Sequence, residues 1–273
     1  MTIKLIATDI NGTFLDNHGE YDHPRFAKIY QELQRRDIQF VIASGHQAVE
    51  LADFFADYPD MWFIGGNGAE LMNARVGLSV ETFSAATTQT VLSALTAYPE
   101  LQIALCGTHT VHVLQNAHPG FIADMRNYYY ALETCADLST VTDPVVKFDI
   151  ICPPEKTDQI VYELTPKLAG IAVPVSGGQG SMDLIQPGMH KGRALKRLGE
   201  RLKISADQMV AFGDGTNDLE MLHYVKTSVA MQNAPANVQA NASAVTGTNL
   251  DSGVLSYIEQ HILQSDGPLS END

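Results

Sequence analysis

Four short stretches hold the residues with chemistry to offer. Leu5-Ile6-Ala7-Thr8 is an apolar run that reads as a buried strand; Asp9 stands at its C-terminal end, and Asn11-Gly12 turns the backbone. Val41-Ile42-Ala43 ends in Ser44-Gly45, just before a helix. Lys191 opens a later helix, and an apolar run from Gln208 to Phe212 ends in Gly213-Asp214-Gly215-Thr216-Asn217-Asp218. In open α/β sheets, ligands bind beyond the carboxyl ends of strands. A strand followed by a polar turn is an equally good account of the first stretch alone; the other three decide for a site. Two acidic strand ends, Asp9 and Asp214, suit one hard divalent cation, and oxygen donors without a Cys or His cluster favour Mg²⁺. Ser44, with the backbone N–H groups of a helix start behind it, makes an anion cradle. Lys191 adds a point positive charge. A metal, a lysine, a hydroxyl donor and a carboxylate together suit phosphoryl transfer, where catalysis is mostly positioning and charge neutralisation.

Composition narrows the partners. The chain has 273 residues, 45% apolar and 18% charged, with a formal net charge of −15. That balance speaks against nucleic acid or an anionic membrane as the main partner. It also means that an anionic substrate needs a local cation, which the metal and Lys191 supply. Cys106, Cys135 and Cys152 show no CxxC spacing and read as free thiols of a reducing compartment. Met1-Thr2-Ile3-Lys4 leads straight into a strand, and no apolar run approaches the ~18–20 residues of a membrane span. The expectation is a cytoplasmic protein that needs no partner subunit, acting on a small phosphorylated metabolite.

The positioning elements follow from periodicity. Asp22 caps a helix with Pro24 in its first turn and Phe26, Ile29, Tyr30 and Leu33 on one face. Strands are expected at Ile38 to Ala43 and Met61 to Ile64, with a helix between them carrying Ala48, Leu51, Ala52 and Phe55. This alternation implies right-handed crossovers and a parallel sheet. From residue 84 to 186 the pattern changes to helices alternating with adjacent strands, including a helix over 118–132 and a Gly-rich hairpin loop from Ser176 to Ser181. The βα alternation resumes after Pro187-Gly188-Met189, with helices at 191–203, 217–224, 235–241 and 251–263 around a strand at 227–231. The reading is an α/β protein: a doubly wound, Rossmann-like parallel-sheet core formed by 1–83 and 187–265, an inserted α+β cap over 84–186, and a disordered tail at 266–273.

Asp9-Ile10-Asn11-Gly12-Thr13, Val41-Ile42-Ala43-Ser44-Gly45, Lys191-Gly192 and Gly213-Asp214-Gly215-Thr216-Asn217-Asp218, in that order, resemble the four motifs of the haloacid dehalogenase superfamily. The insertion after the second motif, with Asn67-Gly68-Ala69 before it, resembles the Cof-type branch and its bacterial sugar phosphatases. The resemblance covers all but the tail. It implies a Mg²⁺-dependent phosphoric monoester hydrolase in which Asp9 attacks phosphorus to form an aspartyl-phosphate. It implies Mg²⁺ held by Asp9, the backbone carbonyl of Asn11 and Asp214, with Asp218 completing the metal shell. Ser44, the Gly45 amide and Asn217 would bind phosphate oxygens, Lys191 would tie nucleophile to phosphate, and the cap would close over the substrate.

One position departs from the resemblance. The family pattern is DxDGT, and its second carboxylic acid protonates the leaving oxygen and then activates water; here Asn11 stands there and exchanges no proton near neutral pH. General acid–base catalysis is worth roughly 10²–10⁴-fold, so the expectation is a slow enzyme, slowest with poor alkoxide leaving groups. Asn11 is then an engineered trap, a natural residue with the proton relayed elsewhere, or the mark of a protein that binds phosphometabolites without turnover. A phosphomutase or phosphotransferase is the alternative enzyme. His46 either touches substrate or is a solvated first-turn residue. His109, His112, His118 and the Tyr128-Tyr129-Tyr130 run are read as surface or cap packing, Asn67 as a turn residue, and Asp207 and Glu220 as solvated.

Overall fold

The computed structural model describes residues 2–129, 131–178 and 180–264. The tail at 266–273, Tyr130 and Gln179 lie outside them. Contacts divide the chain into two compact units, one running to Leu78 and resuming at His190, the other Ser79–Met189. These breaks fall a few residues from the expected ones.

In chain order the first unit contributes β1 (Leu5–Thr8), α1 (His23–Arg35), β2 (Gln39–Ala43), α2 (Ala48–Phe54), β3 (Trp62–Gly65) and β4 (Glu70–Asn73), and β5 (Gly77–Val80) runs across its boundary. The second holds α3 (Ala85–Leu95), β6 (Gln102–Gly107), β7 (Val111–Leu114), α4 (Pro119–Tyr128), β8 (Leu132–Cys135), β9 (Val145–Ile151), α5 (Thr157–Lys167), β10 (Val173–Gly178) and β11 (Ser181–Ile185). The first then resumes with α6 (Lys191–Leu202), β12 (Met209–Gly213), α7 (Leu219–Tyr224), β13 (Thr227–Met231), α8 (Ala236–Gln239), β14 (Ala244–Thr246) and α9 (Gly253–Tyr257), which runs on as a π-helical stretch, Ile258–Leu263.

The first unit's sheet has the order β14-β13-β12-β1-β2-β3-β4-β5. The strands from β14 to β3 are parallel, and β4 is antiparallel to β3. Every residue of β1 is buried, as a central strand covered on both faces requires. Ile6 points to the layer of α1, α2 and α9, with Phe26, Leu33, Leu51 and Val254. Leu5 and Ala7 point to the layer of α6 and α7, with Leu195, Leu198 and Met221. α1 starts where its sequence places it: the Asp22 carboxylate accepts from the Arg25 amide at 3.0 Å. The chain winds outward from β1 through β2 and β3 on one side and from β12 through β13 and β14 on the other. The winding direction therefore reverses at β1, the switch point at which such sheets place ligands.

The second unit is a six-stranded sheet, β10-β11-β9-β6-β7-β8. α3 and α5 cover one face through Val91, Leu95, Ile160 and Leu164, and α4 covers part of the other through Phe121 and Met125. Two strands, β8 and β14, were not expected. The helix expected over 118–132 stops at Tyr128 because α4 is a crossover: its cap residue Tyr129 is already extended, and β8, from Leu132, pairs in parallel with β7. Neither short strand has an apolar alternation that would announce it.

One carboxylate knots this unit. Asp143 accepts from the amides of Thr108, His109 and Thr110 at 3.0–3.1 Å and from the Thr108 hydroxyl at 2.8 Å, and pairs with His109 Nδ1 at 3.0 Å. Burial alone would raise this carboxyl; the donors from His109, Thr108 and Thr110 outweigh it and hold it well below the usual carboxylate range. A depressed folded-state value means stabilisation present above about pH 4 and lost as the pH falls below it. Asp143→Asn is expected to cost about 1–3 kcal/mol at neutral pH. In urea titrations its deficit against the parent should shrink below about pH 4.

Candidate active site

Asp9 leaves the end of β1 with its amide bonded to the Phe212 carbonyl at 3.0 Å, which fixes it beside β12. Lys191, fully buried at the first turn of α6, donates to Asp9 Oδ1 at 2.5 Å and to Asp218 Oδ1 at 2.7 Å. A cation is disfavoured at a helix N-terminus by the macrodipole; the two carboxylates supply the compensation. Asp218 Oδ2 accepts from the amides of Asp214 and Gly215 at 3.1 and 2.9 Å, shaping the loop after β12. Thr13 Oγ1 donates to Asp214 Oδ1 at 2.6 Å. Gly12 adopts φ +74°, and a Cβ there would lie 2.5 Å from Asp214 Oδ2, so both the turn and the close approach need glycine.

Asp9, Asp214 and Asp218 each place an oxygen within 4.8 Å of the others. Burial pushes the Asp9 carboxyl up to about 7; Lys191 pulls it down, and Asp218 and Asp214 push it further up. Burial likewise raises Asp214, against the Thr13 hydrogen bond. Three carboxylates face one ammonium, so the cluster carries uncompensated negative charge when ionised. The second oxygen of Asp9 has no hydrogen-bond partner among the described residues, whereas both Asp218 oxygens are occupied. An oxygen-only, anion-rich set of this kind could hold a hard divalent cation.

Ser44 ends β2 and is buried, its carbonyl taking the Asn67 amide at 3.0 Å and its hydroxyl the His46 amide at 3.1 Å. The neighbouring Gly45 amide has no acceptor among the described residues. Asn67, in the left-handed region at φ 54°, accepts from Asn217 Nδ2 at 3.3 Å. That bond links the loop after β12 to the loop after β3, so Asn217 reaches the Ser44 side of the site. Asn11 is exposed, and its Nδ2 lies 2.9 Å from His46 Nε2. His46 Nδ1 in turn faces Glu50 Oε2 at 3.8 Å.

The model of the haloacid dehalogenase-like hydrolases matches residues 6–258, nearly the whole chain. The chain belongs to the haloacid dehalogenase-like hydrolases. Among its relatives is the 5-amino-6-(5-phospho-D-ribitylamino)uracil phosphatase YbjI of Escherichia coli K12, 34% identical over 99% of this chain and 100% of that protein. Among solved structures, SMU.1108c of Streptococcus mutans UA159 superposes with a TM-score of 0.91 at 34% identity, covering 96% of this chain and 100% of that one. A haloacid dehalogenase-like hydrolase of Bacteroides thetaiotaomicron follows at 0.80 and 25%, covering 94% and 99%.

Within this haloacid dehalogenase-like hydrolase, the eight residues singled out at the start all lie in the first unit, at the β1, β2 and β12 ends and the α6 start. Sequence reading missed the residues that brace them. Asn233 Nδ2 donates to the Gly12 carbonyl at 2.8 Å, and buried Asn249 donates to the Leu15 carbonyl at 2.9 Å. Both lie more than 200 positions from the loop they hold, and no spacing in the chain announces the pairing. The other candidates make contacts of their own. His118 caps α4, His112 is buried beside Asp143, and Tyr129 donates to Asp149 at 2.6 Å. Asp207 and Glu220 are exposed. No helix among the described residues is long and apolar enough to cross a membrane.

Proposed function

We propose that this hydrolase is a Mg²⁺-dependent phosphatase of small phosphate monoesters, sugar phosphates and phosphorylated sugar alcohols foremost. The observation that carries the reading is Lys191 bridging Asp9 and Asp218 beside Asp214 at the switch point of the sheet. Asp9 is the nucleophile: it is buried, oriented through one oxygen by Lys191, and has its second oxygen open. Ser44 and the Gly45 amide, with Asn217, hold phosphate oxygens at the end of β2. Asp9, Asp214 and the Asn11 carbonyl would hold Mg²⁺, which when bound neutralises phosphate charge. Asp218 borders the metal and sets the Lys191 ammonium and the loop amides. The inserted unit is read as a cap that carries leaving-group specificity. The 5-phospho-D-ribityl group in the name of the Escherichia coli relative supports a polyol phosphate as substrate. The test is phosphate release from a panel of sugar, polyol and aryl phosphates, with Mg²⁺ and with a chelator. Release confined to the Mg²⁺ arm is expected. Undiminished release with chelator overturns the metal reading, and tight binding of sugar phosphates without any release replaces the phosphatase with a phosphometabolite-binding protein.

A further inference from the structure

Gly12 sets a problem for the loop that follows β1. Asp214 demands glycine there, because any Cβ would meet its carboxylate. Glycine, however, leaves its own peptide planes free to turn over, since both signs of φ are open to it. A turned plane between Gly12 and Thr13 would disturb Thr13, whose hydroxyl holds Asp214 Oδ1 at 2.6 Å. Asn11, just before Gly12, offers its carbonyl to Mg²⁺ in the function proposed above. The loop must therefore keep one course if the metal donors are to stay together.

Two neighbouring strand ends supply the constraint. Asn233 follows β13 and Asn249 follows β14. Both strands run parallel to β12 and β1, so the two asparagines stand at the same edge of the sheet as Asp9 and Asp214. Asn233 Nδ2 donates to the Gly12 carbonyl at 2.8 Å, and its Oδ1 accepts the Asn249 amide at 3.1 Å. Both ends of this side-chain amide are spent, so its plane is fixed, unlike that of a water that could turn with the loop. Asn249 is buried and donates to the Leu15 carbonyl at 2.9 Å and to Asn17 Oδ1 at 3.3 Å, a second hold further along the same loop. An amide suits position 233 because it donates from one end and accepts at the other. Aspartate would set a carboxylate against the Gly12 carbonyl, and alanine would release both contacts.

We infer that Asn233 is a positioning residue for the metal-binding set. By clamping the Gly12 carbonyl to the backbone of Asn249, it holds Asn11 and Thr13, and through Thr13 Asp214, in the arrangement that receives Mg²⁺. It makes no hydrogen bond to a carboxylate of the cluster and acts through the loop alone. Groups that orient metal ligands from behind typically change metal affinity ~10–100-fold when removed. The inference rests on the Mg²⁺ reading of the site.

The experiment reads Mg²⁺ binding without turnover. Thermal midpoints of the parent, Asn233→Ala and Asp143→Asn, each in chelator and across a Mg²⁺ titration, give the half-saturating Mg²⁺ of each protein. Asn233→Ala is expected to unfold in chelator close to the parent, because residue 233 is exposed, and to need ~10–100-fold more Mg²⁺. Asp143→Asn, destabilised in the second unit, should keep the parent's Mg²⁺ requirement, which separates positioning from loss of stability. With a sugar phosphate as substrate, Asn233→Ala should regain most of the parent's kcat once Mg²⁺ is saturating, so that its defect lies in the Mg²⁺ half-saturation. A parent-like Mg²⁺ requirement in Asn233→Ala, or an equal rise in Asp143→Asn, overturns the inference and leaves the metal reading in place. A parent that Mg²⁺ does not stabilise removes the metal reading and the inference with it.

Discussion

Asp9→Asn is expected to lower phosphate release at least ~10⁴-fold, as removing a covalent nucleophile does, without loss of stability. The amide keeps an oxygen for the Lys191 hydrogen bond, so the packing around a nearly buried position changes little. It removes a charge that burial and two neighbouring carboxylates make costly. The folded carboxyl, raised to about 7, stays protonated where the unfolded one has ionised at about 4. In chelator, this group's contribution to stability therefore declines as the pH rises between those values. In Asp9→Asn that part of the pH dependence should vanish, so urea titrations at pH 5 and pH 8 should differ less than in the parent. An active Asp9→Asn protein would move the nucleophile elsewhere. A variant that is inactive because it is unfolded would contradict the stability half of the expectation.

The placement of the candidate residues was legible in the sequence for a local reason. Asp9, Ser44 and Asp214 each follow an apolar run directly, so their placement is fixed by local strand pattern and by the rule that sites lie at strand ends. Lys191 needed only a helix start. What local pattern could not supply is how the loops are tied to one another. Thr13 to Asp214 spans 201 positions, and Asn233 to Gly12 spans 221. These are single polar contacts, made once the sheet has brought its strand ends together, and no periodicity foreshadows them. The same holds for His46 and Asn11, 35 positions apart on neighbouring strand ends. Asn11 exchanges no proton of its own, and what the fold gives it is an imidazole neighbour that its sequence position does not announce. In the second unit, β8 escaped notice because a four-residue, half-exposed strand owes its existence to its neighbour β7 rather than to its own sequence.

Lys191→Met should cost both stability and activity. Methionine fills much of the space of the lysine stem, so the loss is mainly the ammonium and its two hydrogen bonds. Burial works against the charged lysine, yet Asp218 and Asp9 overcome it and hold the ammonium protonated well above its ordinary range. Removing one partner of such a buried group leaves the others uncompensated, which typically costs about 3–5 kcal/mol. Arginine is no substitute, because its planar fork needs room that a fully buried lysine site lacks. Part of the deficit should return in Mg²⁺, since a divalent cation among Asp9, Asp214 and Asp218 supplies positive charge to the same carboxylates. Denaturation midpoints of parent and variant, each in chelator and in Mg²⁺, give the comparison. A Mg²⁺ stabilisation larger in Lys191→Met than in the parent means that lysine and metal act on one shared set of carboxylates. Equal stabilisation of both proteins means that the metal sits apart from Lys191, and the role assigned to the Asp9 cluster would then fail.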